Sequence, residues 1–205
     1  MVSVPVAAQG MRGEERVQDL SLRAKDAAAM SAMASGHAVP AFEKDDLDRP
    51  VPTNGVYWGV AHKPTMVVGV TSHRPVAVDV EFIKERKDYQ IAGALSTHEH
   101  RILGGSALDA YFLAWVAKEA VLKLKGVGLS HLSRTAIIDA WSDGALVAYD
   151  TEVQQVGYAF FNQHVAAITA PSREVVWTLT AEEDGVDVMS PAQRVLTLQG
   201  DVSLS

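Results

Sequence analysis

Two periods alternate along this chain. From Glu14 to Ser35, EERVQDLSLRAKDAAAMSAMAS is rich in alanine and other helix formers and Gly36 follows as a stop, so a helix is predicted there. Residues 45–55, DDLDRPVPTNG, carry turn chemistry. Three runs of strand character follow, VYWGVAH, TMVVGVTS and PVAVDVEFI, broken by Lys-Pro and His-Arg-Pro. IKERKD reads as a solvated turn or a helix start. A short helical pattern at THEHRIL precedes a long one, AYFLAWVAKEAVLKLKG, from Ala110 to Gly126. The remainder, TAIIDAW, ALVAYD, QQVGYAFFN, HVAAITA and EVVWTLT, is predicted as strands and turns. Helix, strands, helices, strands in that order predict an α+β fold, read as two similar halves that each pack a helix on a small antiparallel sheet. About ten residues at the start and the polar LQGDVSLS at the finish are expected to be loose.

Composition narrows the function more than the fold. At 205 residues the chain can bury a substantial core, and its 48% hydrophobic and 21% charged residues are those of an ordinary globular protein. The absence of cysteine excludes disulfides, thiolate nucleophiles and cysteine-ligated zinc. No apolar run is long enough for a membrane span, and MVSVPVAAQG lacks the basic start and apolar stretch of a secretion signal, so no membrane role and a cytoplasmic location are expected. A net charge of −7 argues against nucleic acid as the partner.

Within the long helix, Glu119 falls on the stripe of Leu108, Phe112, Trp115 and Leu122, where a core-facing helix should be apolar. In PVAVDVEFI the alternation puts Asp79 and Glu81 on one face of a strand and Val78 and Val80 on the other. Read separately, the strand pair is solvent-facing decoration and Glu119 with Lys123 is an i, i+4 helix pair. Read jointly, three carboxylates converging where the helix packs on the sheet need a cation, because desolvation and mutual repulsion both penalise the anions. Oxygen ligands suit Mg2+, and the neighbouring Lys118 and Lys123 suit a phosphorylated ligand.

VAVDVE followed by FLAWVAKEAVLKLKGVGLS resembles the two signature motifs of the 4′-phosphopantetheinyl transferases, V-G-(I/V)-D-(I/V)-E and W-x-x-K-E-(A/S)-x-x-K. DRPVPTNGVYWGVAH is similar to the family's upstream G-(K/R)-P and S-H elements, and LSTHEHRIL to its short helix with an acidic residue. The likeness spans Asp48 to Ser130, and its specific part is Trp115, Lys118, Glu119, Ala120, Lys123 and Gly126. It implies the larger, Sfp-like type: a monomer of two pseudo-symmetric halves, here residues 1–75 and 76–205, with coenzyme A in the cleft between them. The implied reaction moves the phosphopantetheine arm of coenzyme A onto a serine of an apo acyl or peptidyl carrier protein and releases adenosine 3′,5′-bisphosphate. By the same resemblance, Asp79, Glu81 and Glu119 would hold Mg2+, and Glu119 or a water on the metal would take the serine proton. Lys118 would neutralise charge on the transferred phosphate, while Arg49, His62 and Lys123 would bind phosphates of coenzyme A. Glu99 matches the acid of the short helix, with a role open between metal shell and base.

The chain departs from the family pattern at Ala77 for glycine, at Ala61 and Lys63 around His62 for Ser-His-Ser, at Val116 after the helix tryptophan, and at Asp48 for the glycine of G-K-P. Lys63 would offer charge where a hydroxyl is lost. His98 and His100 beside Glu99 diverge around a helix and do not make a zinc site. Arg23 and Lys25 on the first helix are read as solvated, with the adenosine phosphate as their alternative partner. Two other functions are open at this stage: a different Mg2+-dependent enzyme acting on phosphates, and a non-catalytic relative that binds a carrier protein or coenzyme A.

Overall fold

The computed structural model describes residues 1–171 and 174–180. LQGDVSLS therefore lies outside the described residues. The fold is α+β, with five α-helices, one 3-10 helix (Leu129–Arg134) and two antiparallel sheets among the described residues.

The first sheet has three strands in the order β1-β3-β2, with β1 at Val2–Ser3, β2 at Tyr57–Lys63 and β3 at Met66–Ser72. A single turn of helix, α1 (Val6–Gln9), leads into α2 (Gly13–Ala34), which lies across β2 and β3. Glu14 and Glu15 in the first turn of α2 complement its dipole, and its buried face is Leu20, Ala24, Ala27, Ala28 and Ala32. The alanines matter because helix and strand nearly touch: a Cβ on Gly69 of β3 would lie 2.1 Å from the Ala28 nitrogen. This close approach explains both the glycine inside a strand and the alanine-rich helix opposite it.

The second sheet runs β4-β8-β7-β6-β5, from β4 (Val78–Phe82), β5 (Thr135–Trp141), β6 (Gly144–Tyr149), β7 (Glu152–Phe161) and β8 (His164–Ile168). Helices α3 (Asp88–Ala94) and α4 (Thr97–Leu103) precede the long α5 (Ala107–Leu124), which packs on β4, β8 and β6. Ser96 and Glu99 cap the start of α4 reciprocally, and Ser106 caps α5 through the Asp109 amide. Gly126 ends α5 at φ +65°, in the left-handed region that follows many helices. β5 forms one edge of the sheet, and its pairing with β6 is interrupted by a bulge between Ile137 and Asp139.

The two sheets meet through β4. Val78 and Val80 pack with Ala61, Met66 and Val68 of the first sheet and with Ala166 of β8, so the apolar half of the VDVE alternation forms the junction. Its acidic half is turned toward α5. No helix among the described residues is long and apolar enough to cross a membrane.

Two local expectations change and a third is narrowed to one of its alternatives, the helix start. The start of the chain is anchored: Val2 pairs with Val67, and Val2 and Val4 are buried against Leu20 and Ala24. EVVWTLT is not a strand. Among the described residues it runs beside β1 with one bridge, Val2 to Thr180, and packs Trp177 and Leu179 onto the junction between the sheets. IKERKD leads into a helix, α3, whose first residue is Asp88.

Candidate functional site

β4 and α5 set the geometry. β4 pairs Asp79 with Ala167 and Glu81 with Val165, which holds both carboxylates on the α5 side. One oxygen each from Asp79, Glu81 and Glu119 lie within 4.8 Å of one another, the one such group of acidic or histidine side chains among the described residues. Asp79 and Glu81 are buried, and Glu119 is half-buried.

Two lysines reach into this group. Lys123 Nζ donates to Asp79 Oδ1 at 2.6 Å, and Lys63 Nζ lies 2.7 Å from Glu81 Oε1. Trp115 Nε1 donates to the same Glu81 oxygen at 3.0 Å. Sequence reasoning took Trp115 as core, yet its place one helical turn before Glu119 lets the indole brace a carboxylate while its ring stacks on Tyr111. Arg86 stands on the far side, 3.8 Å from Glu81 Oε2, with its guanidinium over the rings of Tyr111 and Phe112. Asp79 Oδ2 is buried without any hydrogen-bond partner. An unsatisfied buried carboxylate oxygen beside two other carboxylates fits an oxygen-seeking divalent cation, and the donor set, all carboxylate, fits Mg2+.

Burial pushes the Asp79 carboxyl up to about 7, against the pull of Lys123 and with Glu119 pushing the same way. In the unfolded chain this group ionises near its ordinary value of 3.8. Its contribution to stability is therefore fully present below about pH 4 and is lost as pH rises through 7. Urea unfolding of the protein in EDTA is expected to show this decline between pH 4.5 and 7.5, and Asp79→Asn is expected to remove it. Parallel pH profiles for the two proteins would contradict the assignment.

The cluster opens into a cleft of about 800 Å³ between the two sheets, in the size range of small-ligand sites. Asp79 and Glu119 line it, together with Arg49, His62, Lys63 and Lys123. Two further cations, Lys44 and Lys125, also line it. Neither carried a sequence signal, since Lys44 sits in an acid-rich turn and Lys125 at a helix end. Arg49 is fixed by Asp45, which accepts from Nε at 2.8 Å and lies 2.7 Å from Nη2. Its chain crosses Gly126, where a Cβ would come 2.7 Å from Arg49 Cδ. That glycine thus ends the helix and makes room for the arginine. Burial lowers the pKa of His62, and the positive charges of Lys123, Lys63 and Lys44 lower it further. The chain is acidic as a whole, but this wall carries five cations, Lys44, Arg49, Lys63, Lys123 and Lys125, beside the four carboxylates Asp45, Asp48, Asp79 and Glu119.

Lys118 and Glu99 are not brought to the cleft. Lys118 Nζ lies 2.6 Å from Glu99 Oε1 and donates to the Ala94 carbonyl at 2.8 Å, with only 5% of its side chain exposed. Glu99 also accepts from the Ile137 amide at 2.9 Å and from Ser96. Burial works to raise the Glu99 pKa, but the hydrogen bonds from Lys118, Ser96 and Ile137 outweigh it and hold the carboxyl below its ordinary range. The resemblance implies that Lys118 faces a transferred phosphate and Glu99 a metal or a substrate proton; the structure places the two against each other, because neighbours on a helix diverge by about 100°, so Glu119 faces the cleft while Lys118 faces α4. On α2, Arg23 pairs with Asp19, and Ser21 is the α2 residue that lines the cleft.

Residues 75–174 match the family model described as ACPS, the 4′-phosphopantetheinyl transferase superfamily. No curated protein matches the chain.

Proposed function

We propose, on the premise that residues 75–174 belong to the 4′-phosphopantetheinyl transferase superfamily, that the protein transfers the phosphopantetheine arm of coenzyme A to a serine of an apo acyl or peptidyl carrier protein. The observation that carries this reading is the trio Asp79, Glu81 and Glu119, with its unpartnered Asp79 oxygen, set at a cleft whose lining includes Arg49, His62, Lys63 and Lys123. Mg2+ held by the three carboxylates would supply charge neutralisation at the pyrophosphate of coenzyme A.

The remaining work belongs to the chain's own side chains. Arg49, His62, Lys63 and Lys123 line the cleft where they can bind the phosphates of coenzyme A and fix its orientation, which is most of what phosphoryl transfer asks of a protein. The serine oxygen of the carrier forms a bond to the phosphorus that bears the pantetheine arm. The bond from that phosphorus to the bridging oxygen breaks, and adenosine 3′,5′-bisphosphate leaves with the electron pair. Glu119, the half-buried member of the trio and a residue of the cleft wall, is our candidate acceptor for the serine proton. Trp115 holds Glu81 in place, and the pair Lys118–Glu99 fixes α5 against α4 so that Glu119 keeps its direction.

Intact mass spectrometry of an apo carrier protein incubated with this protein, coenzyme A and Mg2+ tests the reading. The expected result is a gain of one phosphopantetheine arm per carrier, abolished by EDTA. Coenzyme A binding without any gain across acyl and peptidyl carriers would instead favour a non-catalytic binder. Release of inorganic phosphate in place of adenosine 3′,5′-bisphosphate would favour a phosphohydrolase.

A further inference from the structure

We infer that Lys63 and Lys123 are resident counter-ions of the carboxylate trio, which leave their carboxylate oxygens when a divalent cation is held there and turn to the phosphates of the ligand. The inference rests on the reading proposed above and adds to it an exchange of partners within the site.

The first argument is mobility. The two carboxylates concerned are fixed, with side chains 4% exposed at Asp79 and 7% at Glu81, whereas the lysines that salt-bridge them are 38% and 30% exposed. Both lysines line the cleft and can swing into it. Lys118 differs on every count: it is enclosed, its ammonium is held by both Glu99 and the Ala94 carbonyl, and it has nowhere to go.

The second argument is charge. With all three carboxylates ionised, Lys63, Lys123 and Arg86 already balance the cluster. A divalent cation added with both ammoniums still in place would make it positive, with like charges a few ångströms apart in a partly dry site. Withdrawal of the lysines removes that repulsion. Glu81 does not lose its support when Lys63 leaves, because Trp115 Nε1 still donates to Oε1 and Arg86 still faces Oε2. The lysines also have a destination, since both act electrostatically on His62, which lines the same cleft. A phosphate against His62 would therefore meet Lys63 and Lys123 as soon as they leave the carboxylates.

The exchange implies that Lys63 competes with the metal. Mn2+, titrated into the 205-residue protein at low ionic strength and followed by the electron paramagnetic resonance signal of the free ion, serves as the probe. Lys63→Ser, which removes the competitor, is expected to bind Mn2+ roughly tenfold more tightly than the parent. Lys63→Gln is expected to do the same while keeping the length of the chain. Melting temperatures in EDTA check that each variant is folded. Unchanged or weaker Mn2+ binding by both folded variants would overturn the inference. Asp79→Asn separates the two levels of the argument: it should abolish Mn2+ binding. If it binds as the parent does, or if the parent binds no Mn2+, the trio is not a metal site and the reading beneath the inference falls with it.

Discussion

Glu119→Gln is expected to lower arm transfer by on the order of a thousandfold, the scale on which loss of one well-placed electrostatic group at a reacting centre is felt. The substitution keeps the shape of the side chain and removes its charge. Because Glu119 is only half-buried, the folded protein should survive the change with little loss of stability. Two consequences distinguish it from a simple binding defect. The carboxylate set for the metal falls from three to two, so the Mg2+ concentration needed for half-maximal rate should rise, and saturating Mg2+ should restore the rate only in part, because the candidate proton acceptor is gone as well. Coenzyme A should still bind through Arg49, His62 and Lys123, which the substitution leaves untouched. Transfer by Glu119→Gln at the parental rate, measured by carrier mass gain over time, would remove Glu119 from the chemistry.

The largest effect on stability is expected from Lys118→Met. It leaves the buried Glu99 carboxylate without its ammonium partner, and breaking a buried ion pair from one side costs about 3–5 kcal/mol. Glu99→Gln should cost a similar amount by stranding the ammonium. The double variant Lys118→Met with Glu99→Gln should regain much of the loss, because neither charge is then left buried alone. The glutamine keeps one acceptor oxygen, so it can retain either the Ser96 cap or the bond from the Ile137 amide but not both, and the recovery should be incomplete. Urea unfolding of the four proteins closes the double-mutant cycle. The same cycle decides between the two roles of Lys118. A residue that acted directly on the phosphate would lower the turnover number in Lys118→Met while leaving the unfolding midpoint near the parental value. An enclosed partner of Glu99 moves the midpoint first.

The contrast between these two neighbours shows what the sequence made legible. Asp79, Glu81 and Glu119 could be found because each sits on an element with a fixed period: alternation on β4 turned two carboxylates one way, and the α5 pattern turned a third toward them. Lys118 adjoins Glu119 in sequence but points elsewhere on the helix, and its partner is nineteen residues away on a seven-residue helix whose capping role the sequence did not reveal. Trp115 looked like core because an indole on an apolar stripe normally is, and only a carboxylate placed within reach by β4 gives its N–H a purpose. The elements that escaped sequence reading are the ones too short to have a period, β1 with two residues and α1 with four. α3 is longer but carries Gly93 and one buried residue, so it offers little apolar pattern. EVVWTLT had the right pattern for a strand and still is not one. Its apolar residues are used in packing against the junction, not in a ladder with a neighbour.

The bulge in β5 has a colloidal consequence. An outer strand with exposed Ile138 and Trp141 is the type of surface on which chains stack into aggregates, because backbone groups left free along such an edge invite another strand, and here the Ile137 amide is already taken, by Glu99. The irregular step between Ile137 and Asp139 throws those groups out of line and places a carboxylate among them. An incoming strand would find no continuous row to zip against. At the concentrations of a crowded cell, an edge interrupted in this way is expected to stack poorly on neighbouring copies.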